Sequence, residues 1–299
     1  MNFSKFHRVL LGFGLLLFCA AGCGAAPAPI TVPYTATPSA ASLDDNPTTG
    51  AIARSTRQAQ ATATRQAAQV AEATQIADKA MQTAEAHADA TATVVARATA
   101  QAIVAAKAAW PSRISESFKD NQLGWPLGLK QDHSLAVTST IEAGGYHWLV
   151  KVVNGNSYFN LIPANGPRLT DFHAAVNVQF VQGNDDGQSA YGLAFRHVDD
   201  DYGFFGILKS GDFLALEVHH TGIYQSMGDR VPVIDTRPGH TNRLEVVGIG
   251  SDFVFLINGQ QVGMMTAEIE PGQIGLGVDA ARRADTAEVE FTDFEVHAP

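Results

Sequence analysis

Glu288 and Glu290, with Asp293 shortly after them, are the most compact set of carboxylates in the C-terminal part of this 299-residue chain. Retaining hydrolysis of a glycosidic bond needs two carboxyls about 5 to 5.5 Å apart on one face, and strand residues at i and i+2 supply such a pair. The alternation that creates the pair also explains it away: Val289 and Phe291 point to the other side, as on a terminal strand with an apolar inner face and a solvated outer one. No catalytic residue is assigned. Two turns, Asp185-Asp186 and Asp199-Asp200-Asp201, gather oxygen donors of the kind calcium takes, about six to eight at a time. Aspartate also suits turns through its own backbone hydrogen bonding, so the expectation is no cofactor, with calcium the one ion these turns suit. The adjacent His219 and His220 point to opposite faces of a strand and cannot share a metal without distortion.

Recognition asks less of a sequence than catalysis does. In Phe172-His-Ala-Ala-Val-Asn-Val-Gln-Phe, residues Phe172, Ala174, Val176, Val178 and Phe180 share one face and leave Asn177 and Gln179 on the other. By the same parity Arg196 is opposite Leu193 and Phe195, and Glu217 is opposite Leu216 and Val218. If those faces coincide, Asn177, Gln179, Arg196 and Glu217 line one sheet, where they hydrogen-bond sugar hydroxyls or a peptide. Trp148 and Tyr202 add stacking surface to that candidate set, unless they belong to the core. The competing expectation for the polar residues is a solvated outer sheet.

Composition excludes several classes. Both cysteines, Cys19 and Cys23, lie at the N-terminus, so the later part of the chain has no disulfide and no thiolate nucleophile or metal ligand. Gly-x-Ser-x-Gly, His-Glu-x-x-His and phosphate-loop patterns are all missing. From Trp110 onward there are 12 lysines and arginines against 24 aspartates and glutamates, a net charge of −12. A domain of that charge is repelled by nucleic acid and by anionic membrane surfaces.

The elements that must position these residues change character along the chain. Residues 1–23 read as a secretory signal, with Lys5, His7 and Arg8 ahead of an apolar run from Val9 to Phe18 that is too short to span a bilayer. Residues 24–50 are a Pro/Thr/Ala-rich spacer expected to be disordered. Residues 51–109 lack proline and glycine and are dominated by Ala, Gln and Thr, which predicts one long helix of roughly 90 Å if unbroken. A heptad frame through Ala67, Thr74, Met81, Ala88, Val95 and Ala102 leaves open a solitary stalk or a weak homo-oligomeric coiled coil. Residues 110–299 alternate with period two between turn signals such as Asn165-Gly166-Pro167, Ser210-Gly211-Asp212 and Asn258-Gly259. The strands predicted are Tyr146 to Val153, Ser157 to Ile162, Phe172 to Val181, Ala190 to His197, Tyr202 to Leu208, Phe213 to His219, Arg243 to Gly248, Phe253 to Ile257, Gln273 to Val278 and Ala287 to Val296. The fold class expected is therefore mainly β, an antiparallel two-sheet sandwich preceded by an Ala-rich helix and a disordered linker.

Two resemblances sharpen this. Ala20-Ala21-Gly22-Cys23 resembles the lipobox of bacterial lipoproteins, with Ala20 where Leu is usual. That implies lipidation of Cys23, anchorage to the membrane and an extracytoplasmic location. The stretches Tyr191-Gly-Leu-Ala-Phe-Arg-His-Val-Asp-Asp-Asp-Tyr-Gly-Phe-Phe-Gly-Ile-Leu, Thr241 to Val262, Gly272-Gln-Ile-Gly-Leu-Gly-Val and Val289 to Val296 resemble the concanavalin A-like jelly rolls. Within that group they are similar to laminin-G-like and 3-keto-disaccharide-hydrolase-type domains. Together these features imply a lipid-anchored module that binds an extracellular glycan or protein. The alternatives are a structural spacer or assembly subunit without a small ligand and, third, a carbohydrate-active hydrolase.

Overall fold

A computed structural model of the chain describes residues 47–154, 157–184, 188–237, 239–280 and 285–299. The signal segment with Cys23, most of the expected spacer and the Asp185-Asp186 turn lie outside these residues. The chain divides into two compact units, one to Ala77 and one from Asp78 to Pro299. Helix α1 runs Pro47–Ala106, starting slightly before the expected 51. Proline is tolerated there because the N–H it lacks has no intrahelical partner in the first turn. The many threonines do not break α1: Thr62, Thr64 and Thr74 each return the hydroxyl to the carbonyl four residues back, at 2.9 Å. A 3-10 turn, Lys107–Ala109, ends the helical run.

Among the described residues fifteen strands follow: β1 (Ser112–Glu116), β2 (Gly128–Gln131), β3 (Leu135–Glu142), β4 (Gly145–Val152), β5 (Ser157–Leu161), β6 (Phe172–Gly183), β7 (Ala190–Val198), β8 (Asp201–Leu208), β9 (Phe213–His219), β10 (Gly222–Met227), β11 (Thr241–Ile249), β12 (Asp252–Ile257), β13 (Gln260–Thr266), β14 (Gln273–Ala280) and β15 (Thr286–His297). They form two antiparallel sheets. The nine-stranded sheet has the order β13-β12-β11-β6-β15-β4-β3-β2, with β1 also paired to β15, and the six-stranded sheet has the order β10-β9-β8-β7-β14-β5. Each of the ten expected strands is present, and the jelly-roll sandwich is the fold. Asn258 and Gly259 close the β12–β13 hairpin with φ of 51° and 77°, the conformation that makes this dipeptide a hairpin signal.

The core lies where the sheets face each other. From the larger sheet come Phe172, Ala174, Val176, Val178, Phe253, Phe255, Val289 and Phe291; from the smaller come Tyr191, Leu193, Phe195, Phe205, Ile207 and Leu276. Trp125, Tyr146, Trp148 and Phe294 pack as one aromatic group at its flank, with neighbouring ring centroids 5.1 to 5.7 Å apart. A second apolar cluster covers the outer side of the larger sheet, where Ala100 and Ile103 of α1 are buried against Val247, Val254 and Leu256. The final turns of the helix are thus part of the packed unit that the sandwich forms.

Candidate functional site

Alternation sends one side of β5, β14, β7, β8 and β9 outward from the six-stranded sheet, and on that side the two central strands β7 and β14 carry mostly small residues, Ala190, Gly192 and Ala194 and Gly275 and Gly277. Across the sheet, Asn160, Gly277, Gly192, Gly206 and Leu214 stand in one register row, so three neighbouring strands present glycine side by side. The row beside it is Tyr158, Asp279, Ala190 and Leu208. On the other side runs Gly275, Ala194, Phe204 and Leu216. With no side chains standing on the glycines, the Phe204 ring folds down over the row. Its atoms come within 2.6 Å of where a Cβ on Gly206 would be and 3.1 Å of one on Gly277. Phe204, Leu216, Val218 and Tyr202 form a buried apolar cluster, against which Tyr158, Leu208 and Leu214 pack half-buried.

Polar groups flank this cluster. The Asn160 side chain lies beside the Tyr202 hydroxyl, and the His197 ring stacks on Tyr202 at 5.7 Å and 23°. Desolvation pushes the Asp279 carboxyl up to about 7. Burial, with the nearby Asp279 charge, holds the Tyr158 and Tyr202 phenols well above their usual range, so both stay protonated donors. Burial lowers the His197 imidazole, although Asp199 and Asp200 partly oppose this. Tyr158, Asn160 and Asp279 remain half-buried. Aromatic plates beside a carboxyl, an amide and phenol hydroxyls can stack on the apolar face of a sugar ring and hydrogen-bond its hydroxyls.

The structure scatters the residues proposed from parity. Asn177 and Gln179 lie on the outer face of the nine-stranded sheet, Asn177 donating to Asp293 at 2.8 Å and Gln179 accepting from Thr241 at 3.2 Å. Trp148 is fully buried, its ring 4.8 Å from Phe291. Glu217 belongs to the other sheet and faces inward at its edge, only 1% exposed, accepting from Gln225 and meeting His219 Nε2 at 2.9 Å. Arg196 departs furthest from expectation. It has φ of 49° in a break of register between Phe195 and Val198, and is 3% exposed with its guanidinium 4.8 Å above the Phe253 ring. Its nitrogens donate to Thr170 O at 3.1 Å, Ile269 O at 2.8 Å and Gly250 O. The expected common face of Asn177, Gln179, Arg196 and Glu217 is therefore not formed, because two residues lie on one sheet and two on the other, and a bulge turns Arg196 inward. Of the candidate set only Tyr202 belongs to this cluster, where it is buried.

Glu288 and Glu290 occupy the solvated face of β15, Glu288 accepting from Gln182 at 2.6 Å and Glu290 lying 3.6 Å from His147. Asp199, Asp200 and Asp201 form the β7–β8 turn. Asp201 accepts the His220 N–H at 2.8 Å and lies 3.5 Å from His219. Among the described residues no group of three or more His, Cys, Asp or Glu side chains is placed to hold a metal ion. Sequence parity overlooked Tyr158, Asn160 and Asp279. The available signal was glycine at the alternate positions Gly275 and Gly277 of β14, with single glycines, Gly192 and Gly206, inside β7 and β8.

No family model and no curated protein matches the chain. Among solved structures it is similar to a carbohydrate binding module, CBM66, from Bacillus subtilis, at 16% identity and a TM-score of 0.44 over 57% of this chain and 96% of that one. A prokaryotic β-1,3-1,4-glucanase (lichenase) derived from a mouse hindgut metagenome matches at 8% identity and a TM-score of 0.46, over 62% of this chain and 98% of that one. A GlcNAcα1-4Gal releasing endo-β-galactosidase from Clostridium perfringens matches at 9% identity and a TM-score of 0.45, over 64% and 63% of the two chains. Each is a likeness of fold.

Proposed function

We propose that the chain is a lipid-anchored module that binds an extracellular glycan on the outer face of the six-stranded sheet. The observation that carries this is the half-buried set Tyr158, Asn160, Leu208, Leu214 and Asp279 on that face, standing around the Phe204 ring that covers the glycine row Gly277, Gly192 and Gly206. A flat ligand ring finds both van der Waals surface and directional partners there, the mixture that small-ligand sites use. Lipidation at Cys23 and display on α1 belong to the same proposal, supported by the lipobox-like residues and by the lack of proline over residues 51–109.

Binding of the full chain to a glycan array, followed by calorimetry on each positive ligand, tests it. Asp279→Asn and Tyr202→Phe each remove one polar contact with little change of shape and are expected to weaken binding about tenfold or more. A clean negative array, or affinities untouched by both changes, leaves the spacer reading in its place. A carboxyl that ionises near neutrality also suits a general acid. Release of reducing sugar, abolished in Asp279→Asn, would replace binding by hydrolysis.

A further inference from the structure

Where the helical run meets the sandwich, the apolar contact of Ala100 and Ile103 with Val247, Val254 and Leu256 is flanked by a chain of charged groups. Lys107 Nζ, from the turn after α1, lies 2.5 Å from Glu245 Oε2 on β11. The same oxygen is 2.8 Å from His173 Nε2 on β6. Glu245 and His173 are 7% and 8% exposed, so the group is nearly closed to water. The His173 ring stacks on that of His297 from β15 at 5.6 Å and 27°, and His297 Nδ1 is 3.3 Å from the Trp110 carbonyl. The next charges outward, Arg243 and Glu295, are paired with each other at 2.7 Å.

Counting charge in this enclosure gives one carboxylate against one ammonium while His173 is neutral, with Nε2–H donated to Glu245. A proton on His173 leaves two cations facing one carboxylate, with the His297 ring stacked against it. An excess buried charge is relieved by hydration, which requires the covering element to move away. The covering element is the end of the helical run, because Lys107 and the Ala100–Ile103 contact are what it contributes.

We propose that this joint is an acid-opened latch: protonation of His173 releases residues 97–109 from the outer face of the nine-stranded sheet while the sandwich stays folded. Burial lowers the His173 imidazole, the Glu245 hydrogen bond opposes this, and Lys107 and His297 lower it further. Glu245, which burial alone would raise, is held at about 2 by the His173 and Lys107 contacts and so stays ionised throughout. The closed joint takes up a proton less readily than the open one, so closure is favoured above the ordinary histidine value of 6.5 and is lost as pH falls below it.

Hydrogen–deuterium exchange of the full chain, corrected for intrinsic rates, tests the latch between about pH 7.5 and pH 5. Amides of 97–109 are expected to open more readily by up to roughly tenfold per pH unit below the histidine value, for a single proton. Amides of β6 and β7 are expected to keep their protection. His173→Gln retains an N–H donor for Glu245 but takes up no proton, and its exchange in 97–109 should not depend on pH. Lys107→Met leaves protonated His173 and Glu245 balanced and should also abolish the acid response. Acid opening that persists in both variants, no acid opening in the wild type, or loss of protection in β6 and β7 together with 97–109 overturns the proposal.

Discussion

Asp279 stands between Tyr158 and Ala190 on the outer face of the six-stranded sheet, where a carboxylate loses much of its hydration. Its folded-state value is raised from 3.8 to about 7, so between those values the folded chain holds a proton that the unfolded chain releases. Stability therefore falls as pH rises through that window, and above it the ionised group is a standing cost. Asp279→Asn removes the cost without changing shape. At about pH 8 the variant is expected to be more stable than wild type by about 2 to 4 kcal/mol, and near pH 3.5 to match it. Thermal unfolding at the two pH values checks this, and an equal difference at both would mean that ionisation is not the cause. A group kept at a cost in stability, on the surface proposed to bind, is what a functional role would require.

At the scale of the strand, β7 shows what a single bulge does. Its residues alternate regularly through Phe195, with Tyr191, Leu193 and Phe195 inward and Ala190, Gly192 and Ala194 outward. Strict alternation would place Arg196 outward as well. The positive φ at Arg196 breaks the period and carries the guanidinium over Phe253, where it ties together the carbonyls of Thr170, Gly250 and Ile269 from three separate connections. Gly272 is needed opposite, since a Cβ there would collide with the Arg196 backbone. Arg196→Ala is expected to cost about 2 to 5 kcal/mol, because it leaves buried carbonyls without donors and empties a packed space. Denaturant unfolding measures it. A loss below about 1 kcal/mol would show that water replaces the side chain without penalty. Gln179→Ala, on the solvated face, serves as the neutral control.

For the whole molecule, anchorage is the property with the sharpest test. Several acyl chains on one residue hold a protein to a bilayer stably, each buried CH₂ contributing about 0.8 kcal/mol, whereas a domain of net charge −12 has no electrostatic attraction to anionic lipid. Labelled palmitate is expected to be incorporated into the wild-type chain and lost in Cys23→Ala; label retained by the variant would refute lipidation at that residue. The sequence by itself determined the helix, the sandwich class and ten of the strands, because helix propensity and the period-two burial of a strand are local properties that neighbouring residues impose on one another. It was silent on β1, β2, β3, β10 and β13: β2 and β10 are edge strands whose residues are mostly exposed and carry no alternation, whereas β3 alternates and went unread. Only the tertiary structure decided which sheet each strand joins, and so that Gln179 and Glu217 never share a face. It alone brought Asn160, Gly277, Gly192 and Gly206 into one row, turned Arg196 inward, and laid Ile103 and Lys107 on the larger sheet. These outcomes depend on pairing between residues far apart in the chain, and the period of a single strand contains no information about its partner.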